Sequence, residues 1–211
     1  MCDLLEEDPT CFEESIQKKE WVDAMTKEYQ SIIKNDVWEI VPRTKSKDVV
    51  SSKWLFKIKH AADGSIEKYK AIFIARGFSQ KEGIDYEKTF TLVARYTSIR
   101  TIIALAAKMK WKLHQMDVKK DFLNGIIKEE VYIEQPRGFE VEYRKSHVCK
   151  LKKALYGLKQ APRVWYGQID NFLMSLDFTK SKADSNLYFK VMNDEPMILL
   201  LYVDDLFLNG E

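Results

Sequence analysis

The sequence predicts an α+β fold, and three observations carry that prediction. Apolar residues recur at helical spacing in separate stretches of the chain. Elsewhere, alternating or continuous apolar runs are joined by turn residues into hairpins. The 211 residues are 45% hydrophobic and 31% charged, enough for one or two domains with a core and unlike a disordered chain.

In chain order, Phe12, Ile16, Trp21, Ala24, Met25, Tyr29, Ile32 and Ile33 give a helical period, so one amphipathic helix is expected from Phe12 to Ile33, ended by Asn35-Asp36. Val37 to Val41 reads as a short strand stopped by Pro42. Lys53 to Lys59 places Trp54, Phe56 and Ile58 on one face and lysines on the other. Asp63-Gly64 turns the chain, and Ile66 to Ala75 returns, which makes a hairpin with a cationic face. That ribbon suits a phosphate-bearing partner, or is an edge guarded from aggregation by its lysines.

Gly77 to Asp85 reads as loop, and Ser98 to Met109 as a core-facing helix. Trp111 to Val118, Glu130 to Gln135 and Val148 to Leu151 read as strands. Phe122 to Gly125 reads as a turn. Ala154 to Arg163 reads as a polar, basic loop entering a helix, with Pro162 in the first turn. Trp165, Ile169, Phe172, Leu173 and Leu176 form the buried stripe expected of that helix. Leu187 to Val191 and Met197 to Tyr202 pair around Asn193-Asp194, and Leu206 to Leu208 follows an acidic turn. The helices are expected on one face of a largely antiparallel sheet.

Formal net charge is only +2, but charge is unevenly placed. Met1 to Ser15 holds six acids and no Lys or Arg, whereas Arg144 to Arg163 holds seven Lys or Arg and no acid. Lys53 to Lys81 holds seven Lys or Arg against two acids. Such patches suit a phosphate-facing surface, with ordinary solvated faces as the alternative. Cys2, Cys11 and Cys149 lack metal-site spacing and point to a reducing compartment. No apolar run is long enough for a membrane helix and no targeting signal is evident, so no membrane partner is expected.

Tyr202-Val203-Asp204-Asp205 sits between two apolar runs. Adjacent carboxylates at a hairpin tip repel, and burying them costs several kcal/mol unless a cation offsets the charge. Mg²⁺ takes one or two carboxylates plus substrate phosphates, whereas a solvated turn needs no ion. Asp117, 87 residues earlier, ends another strand. Two strand-end acid sites suit a shared pair of metal ions.

Several blocks are similar to copia-type retrotransposon reverse transcriptases: Ser52-Lys53-Trp54-Leu55-Phe56-Lys57, Ala75-Arg76-Gly77-Phe78-Ser79-Gln80, His114-Gln115-Met116-Asp117-Val118-Lys119, Phe122-Leu123-Asn124-Gly125, Leu155-Tyr156-Gly157-Leu158-Lys159-Gln160-Ala161-Pro162-Arg163 and Tyr202-Val203-Asp204-Asp205. The resemblance runs from about Trp21 to the end. It implies a right-hand polymerase with fingers and palm, the palm an antiparallel sheet packed on helices. Residues 1–20 would be a leader with a poorly structured start. Residues 21–115 would be mainly fingers with the start of the palm, and 116–211 mainly palm, interleaved with fingers.

The resemblance implies DNA synthesis from deoxynucleoside triphosphates on a primed RNA or DNA template, with two Mg²⁺ ions or Mn²⁺ in their place. Asp117, Asp204 and Asp205 would be the catalytic and metal-holding acids. Phe122 would exclude a 2′-hydroxyl, or serve as plain core. Gln160 would contact the incoming nucleotide, or cap the following helix. Lys57 and Lys70 would reach the triphosphate, or be surface charges. Tyr202, Lys159 and Arg163 would contact nucleic acid. Location would be the cytoplasm, in a virus-like particle, with the nucleus as the alternative.

Four positions depart from the family pattern. Ile72 stands where Arg is usual, Asp121 where a small residue is usual, Leu92 where Pro is common and Asp177 where Gly is common. Thumb and RNase H regions are expected to be absent after Glu211. The expectation is a fragment with weak or no activity of its own, the alternative being a nucleic-acid-binding remnant without turnover.

Overall fold

The chain forms helices α1 (Phe12–Ser15), α2 (Lys19–Lys34), α3 (Tyr96–Met109) and α4 (Ala161–Ser175). Its strands are β1 (Trp38–Pro42), β2 (Ser52–His60), β3 (Ile66–Ala75), β4 (Lys112–Asp117), β5 (Tyr132–Ile133), β6 (His147–Leu151), β7 (Thr179–Lys180), β8 (Leu187–Met192), β9 (Glu195–Tyr202) and β10 (Asp205–Gly210). These are the elements of a computed structural model that describes residues 7–87, 89, 94–118, 120–192 and 195–210. Helices and strands are mixed, and every strand pair is antiparallel. The chain divides into two units, each built from two separate segments: 1–87 with 127–159, and 88–126 with 160–211.

In the first unit, β2 and β3 form the expected hairpin ribbon, with Gly64 in the left-handed region at the turn. Trp54, Phe56, Ile58, Ala71 and Phe73 are buried on its inner face. Trp21 of α2 packs edge-on against Phe56 and Tyr69, with ring centroids 5.3 and 4.9 Å apart. A second sheet has the order β1-β6-β5. Only Tyr132 and Ile133 of the expected strand Glu130 to Gln135 pair with β6, because their partners are confined to Lys150 and Cys149.

The single helix expected from Phe12 to Ile33 is two helices. The buried Ser15 hydroxyl donates to the Phe12 carbonyl at 2.7 Å, and Lys18 is extended before α2 begins. A local hydroxyl bond of that kind competes with helix continuation.

The expected polar loop, Ala154 to Arg163, is largely interior: Ala154, Leu155, Leu158, Gln160 and Ala161 are buried. Its backbone meets the end of β3, where the Ala75 N–H donates to the Tyr156 carbonyl at 2.8 Å. A Cβ on Gly157 would lie 2.1 Å from the Ala75 carbonyl oxygen, and one on Gly77 would lie 2.1 Å from the Gly157 oxygen. Gly157 also has φ +87. Backbone contact this close admits only glycine.

The second unit holds a sheet of order β4-β10-β9-β8-β7. Trp165, Ile169 and Leu173 of α4 pack with Leu199, Leu201, Leu206 and Leu208. Ile102 and Ile99 of α3 pack with Leu200, Ile198, Tyr202 and Phe207. Side chains alternate across a strand, so the two helices cover opposite faces rather than the one face expected. Apolar residues on both sides of β9 make that possible. The buried line of α4 is Trp165, Ile169 and Leu173; Phe172 and Leu176 are 55% and 42% exposed, on its flank. Asp184 anchors α3, accepting from the Ser98 hydroxyl at 2.6 Å and the Arg95 N–H at 3.3 Å.

Candidate active site

The register of the second unit's sheet determines which acids meet. β9 turns into β10 through Val203-Asp204, with Tyr202 opposite Asp205. β10 then pairs with β4, placing Asp205 directly opposite Asp117. Opposed residues of an antiparallel pair carry their side chains to one face, with Cβ atoms about 4.5–5.5 Å apart. The two-residue turn at Val203-Asp204 sets the β9–β10 register, and the Val118 N–H bond to the Asp204 carbonyl continues the β4–β10 pairing past Asp117.

Asp204 lies in the turn beside this pair. Its carbonyl accepts the Val118 N–H at 2.9 Å, which ties the turn to the residue after Asp117. Asp117 is exposed, and Asp204 and Asp205 are half-buried. Gln115, two residues before Asp117 and hence on the same face, donates from Nε2 to Asp205 Oδ1 at 3.1 Å. Val203 has φ +58, a left-handed backbone that is an outlier for a β-branched residue. Its carbonyl accepts the Trp165 indole N–H at 2.9 Å.

Opposed carboxylates with oxygen-only donors suit Mg²⁺. Among the described residues no three His, Cys, Asp or Glu side chains are grouped to hold a metal. Mg²⁺ is commonly held by one or two carboxylates, with water and phosphate completing its coordination.

The remaining expected site residues are spread over both units. Tyr202 is half-buried against Leu200 and Ile102. Phe122 lies in the short 3₁₀ turn Asp121–Asn124 and packs partly buried against the α4 side of the sheet. Gln160 is fully buried at the N-cap position of α4, but its side chain makes no capping bond. Arg163 is half-buried in the first turn of that helix.

Lys159 belongs to the first unit. Its ammonium donates to Tyr86 Oη at 3.1 Å and lies 4.8 Å from the centre of that ring. Lys57 and Lys70 stand directly opposite each other on the exposed face of the β2–β3 ribbon, and Asp8 pairs with Lys57 at 3.2 Å. Ile72 occupies the same face, opposite Leu55. A cleft of about 550 Å³ in this unit is lined by Lys53, Arg76, Arg137 and Lys145 together with Glu13, Glu134 and Glu140. Leu92 and the side chain of Asp121 lie outside the described residues.

Gln115 and Trp165 were not singled out by sequence motif. The i, i+2 spacing of Gln115 and Asp117 on one strand is a signal that could have found the first. A side-chain bond to a backbone carbonyl 38 residues away leaves no trace in a pattern, so nothing marked the second.

A family model described as reverse transcriptase (RNA-dependent DNA polymerase) matches residues 35–211. The chain is 45% identical over 196 residues to the retrovirus-related Pol polyprotein from transposon TNT 1-94 of Nicotiana tabacum, covering 92% of this chain and 15% of that protein. It is 38% identical over 206 residues to the Pol polyprotein from transposon RE1 of Arabidopsis thaliana, covering 97% of this chain and 14% of the relative. The RE2 polyprotein of the same plant is 38% identical over 198 residues, covering 93% and 14%. The chain thus spans about a seventh of the length of these relatives. No helix among the described residues is long and apolar enough to cross a membrane. With a family model covering most of its length and plant transposon polyproteins aligned to nearly all of it, the chain belongs to the reverse transcriptase family, in the copia-type branch of retrotransposon Pol polyproteins.

Proposed function

We propose that the second unit is the palm of an RNA-directed DNA polymerase and that Asp117, Asp204 and Asp205 are its catalytic and metal-holding acids. The observation that carries this reading is the β4–β10 register, which sets Asp117 opposite Asp205 with Asp204 in the adjoining turn. Two divalent ions held by these acids would supply charge neutralisation at the triphosphate and a lowered pKa at the primer hydroxyl.

The chain's own part is positioning. The primer 3′-oxygen bonds the α-phosphorus of a deoxynucleoside triphosphate, the α–β bridging P–O bond breaks, and pyrophosphate leaves. The acids orient these groups in line. Phe122 limits the space beneath the sugar, and its ring is held by its packing against the α4 side of the sheet. Gln160 borders the incoming nucleotide from the start of α4. We assign the first unit to the fingers, and Lys57 and Lys70 of its ribbon to triphosphate contact. Tyr202, Lys159 and Arg163 complete the nucleic-acid contacts.

A second reading, nucleic-acid binding without turnover, draws on Ile72. An apolar side chain opposite Leu55 replaces a cation on the triphosphate-facing ribbon and forfeits about 1.5–3 kcal/mol of charge-assisted bonding. Primer extension on an RNA template with Mg²⁺ or Mn²⁺ separates the two. Asp204→Asn and Asp117→Asn are each expected to cut extension at least about a hundredfold while template binding stays within about twofold. Extension that survives both substitutions would exclude the acid assignment. No extension by the unsubstituted chain, with template binding intact, would favour the second reading.

A further inference from the structure

We propose that Trp165 is a positioning residue for the acid pair, acting through the backbone of the turn between β9 and β10; this rests on the polymerase reading above. Trp165 is 5% exposed and sits one turn into α4, five residues after Gln160. Burial of the ring in the α4 layer accounts for its apolar part. It does not account for the indole N–H, which crosses to the sheet and donates to the Val203 carbonyl at 2.9 Å.

That carbonyl belongs to the residue least suited to its conformation. Valine at φ +58 resists the left-handed region, and such a residue persists only where its surroundings over-determine it. Two tethers do so here. Trp165 holds the Val203 carbonyl, and the Val118 N–H holds the Asp204 carbonyl at 2.9 Å. Consecutive peptide groups are thus fixed from α4 on one side and from the end of β4 on the other. Asp204 follows a strained residue and has its own carbonyl tethered, so the direction of its Cα–Cβ bond follows from those two bonds. The helix that begins beside Gln160 and the turn that carries Asp204 are therefore mechanically joined.

The test uses the chain with Trp165→Phe, which keeps a buried ring and removes the donor. Binding of Mn²⁺ alone is followed by electron paramagnetic resonance, and amide exchange is followed at Val118 and Asp205. Loss of one hydrogen bond is expected to weaken Asp204-dependent Mn²⁺ binding about fivefold and to speed Val118 exchange by a similar factor. Adding Val203→Gly relieves the backbone strain and is expected to restore most of the Mn²⁺ affinity. Leu173→Ala, eight residues further along the same helix and leaving the Trp165–Val203 bond in place, serves as a matched destabilisation and is expected to leave Mn²⁺ affinity unchanged.

Unchanged Val118 exchange in Trp165→Phe overturns the proposal. So does a loss of Mn²⁺ affinity that Leu173→Ala reproduces. A wild-type chain that binds no Mn²⁺ through Asp204 instead overturns the polymerase reading, and with it the role given to the tether, even where exchange at Val118 responds.

Discussion

Asp177 follows the C-terminal end of α4 with φ +64, in the left-handed conformation that commonly closes a helix. Its carboxylate makes no hydrogen bond or ion pair among the described residues, so nothing visible offsets the backbone cost. Glycine adopts that conformation without a Cβ penalty. Asp177→Gly is therefore expected to raise stability by about 0.5–1 kcal/mol, read as a higher urea midpoint with an unchanged slope. A lower midpoint would mean that the aspartate contributes more than its conformation costs. Asp117 and the Asp204-Asp205 pair stood out in the sequence because each follows an apolar run, and paired acids beside such runs need explaining. Val203 was read only as part of the motif, since positive φ at a valine has no sequence signature.

At the scale of elements, the end of β3 and the Leu155 to Leu158 segment meet backbone to backbone. Gly157→Ala would set a Cβ against the Ala75 carbonyl and force a left-handed alanine. A loss of roughly 2–4 kcal/mol is expected, measured as the shift in urea midpoint. A shift below 0.5 kcal/mol on the order of ordinary surface changes would contradict the close approach. The hairpin Lys53 to Ala75 was readable because alternation and an Asp-Gly turn agree with each other. The Ala154 to Arg163 block was misread as a polar loop because Lys159, Gln160 and Arg163 and the turn formers Gly157 and Pro162 were weighed above its alanines and leucines. Its apolar residues are buried, and the close backbone approach at Gly157 is a contact that composition does not report. The split between α1 and α2 was hidden likewise, since a continuous apolar period says nothing about a buried serine bonding its own helix.

The whole molecule is nearly neutral, so binding to a polyanion must come from local patches rather than net charge. Lys57 and Lys70 face out from one ribbon, with Asp8 masking part of the charge at Lys57. If both touch phosphate, Lys57→Ala and Lys70→Ala should each lower the slope of log affinity against log salt by about one. Affinity measured from 50 to 200 mM salt checks this, and an unchanged slope removes that lysine from the contact set. The points at which the two units divide were beyond the residue pattern, because a linear pattern holds no record of which distant segments share a core. What the pattern did hold was the local half of the fold, namely strands, helices and the acids at their ends.

The order of strands has one more consequence, for synthesis. β10 lies between β4 and β9, so β4 has no partner in its sheet until residues nearly ninety positions later have been translated. At roughly 5–20 residues per second, that interval is on the order of ten seconds. Throughout it, the nascent chain carries an open edge bearing Asp117, and a ribosome-bound chaperone has a defined window in which to shield it.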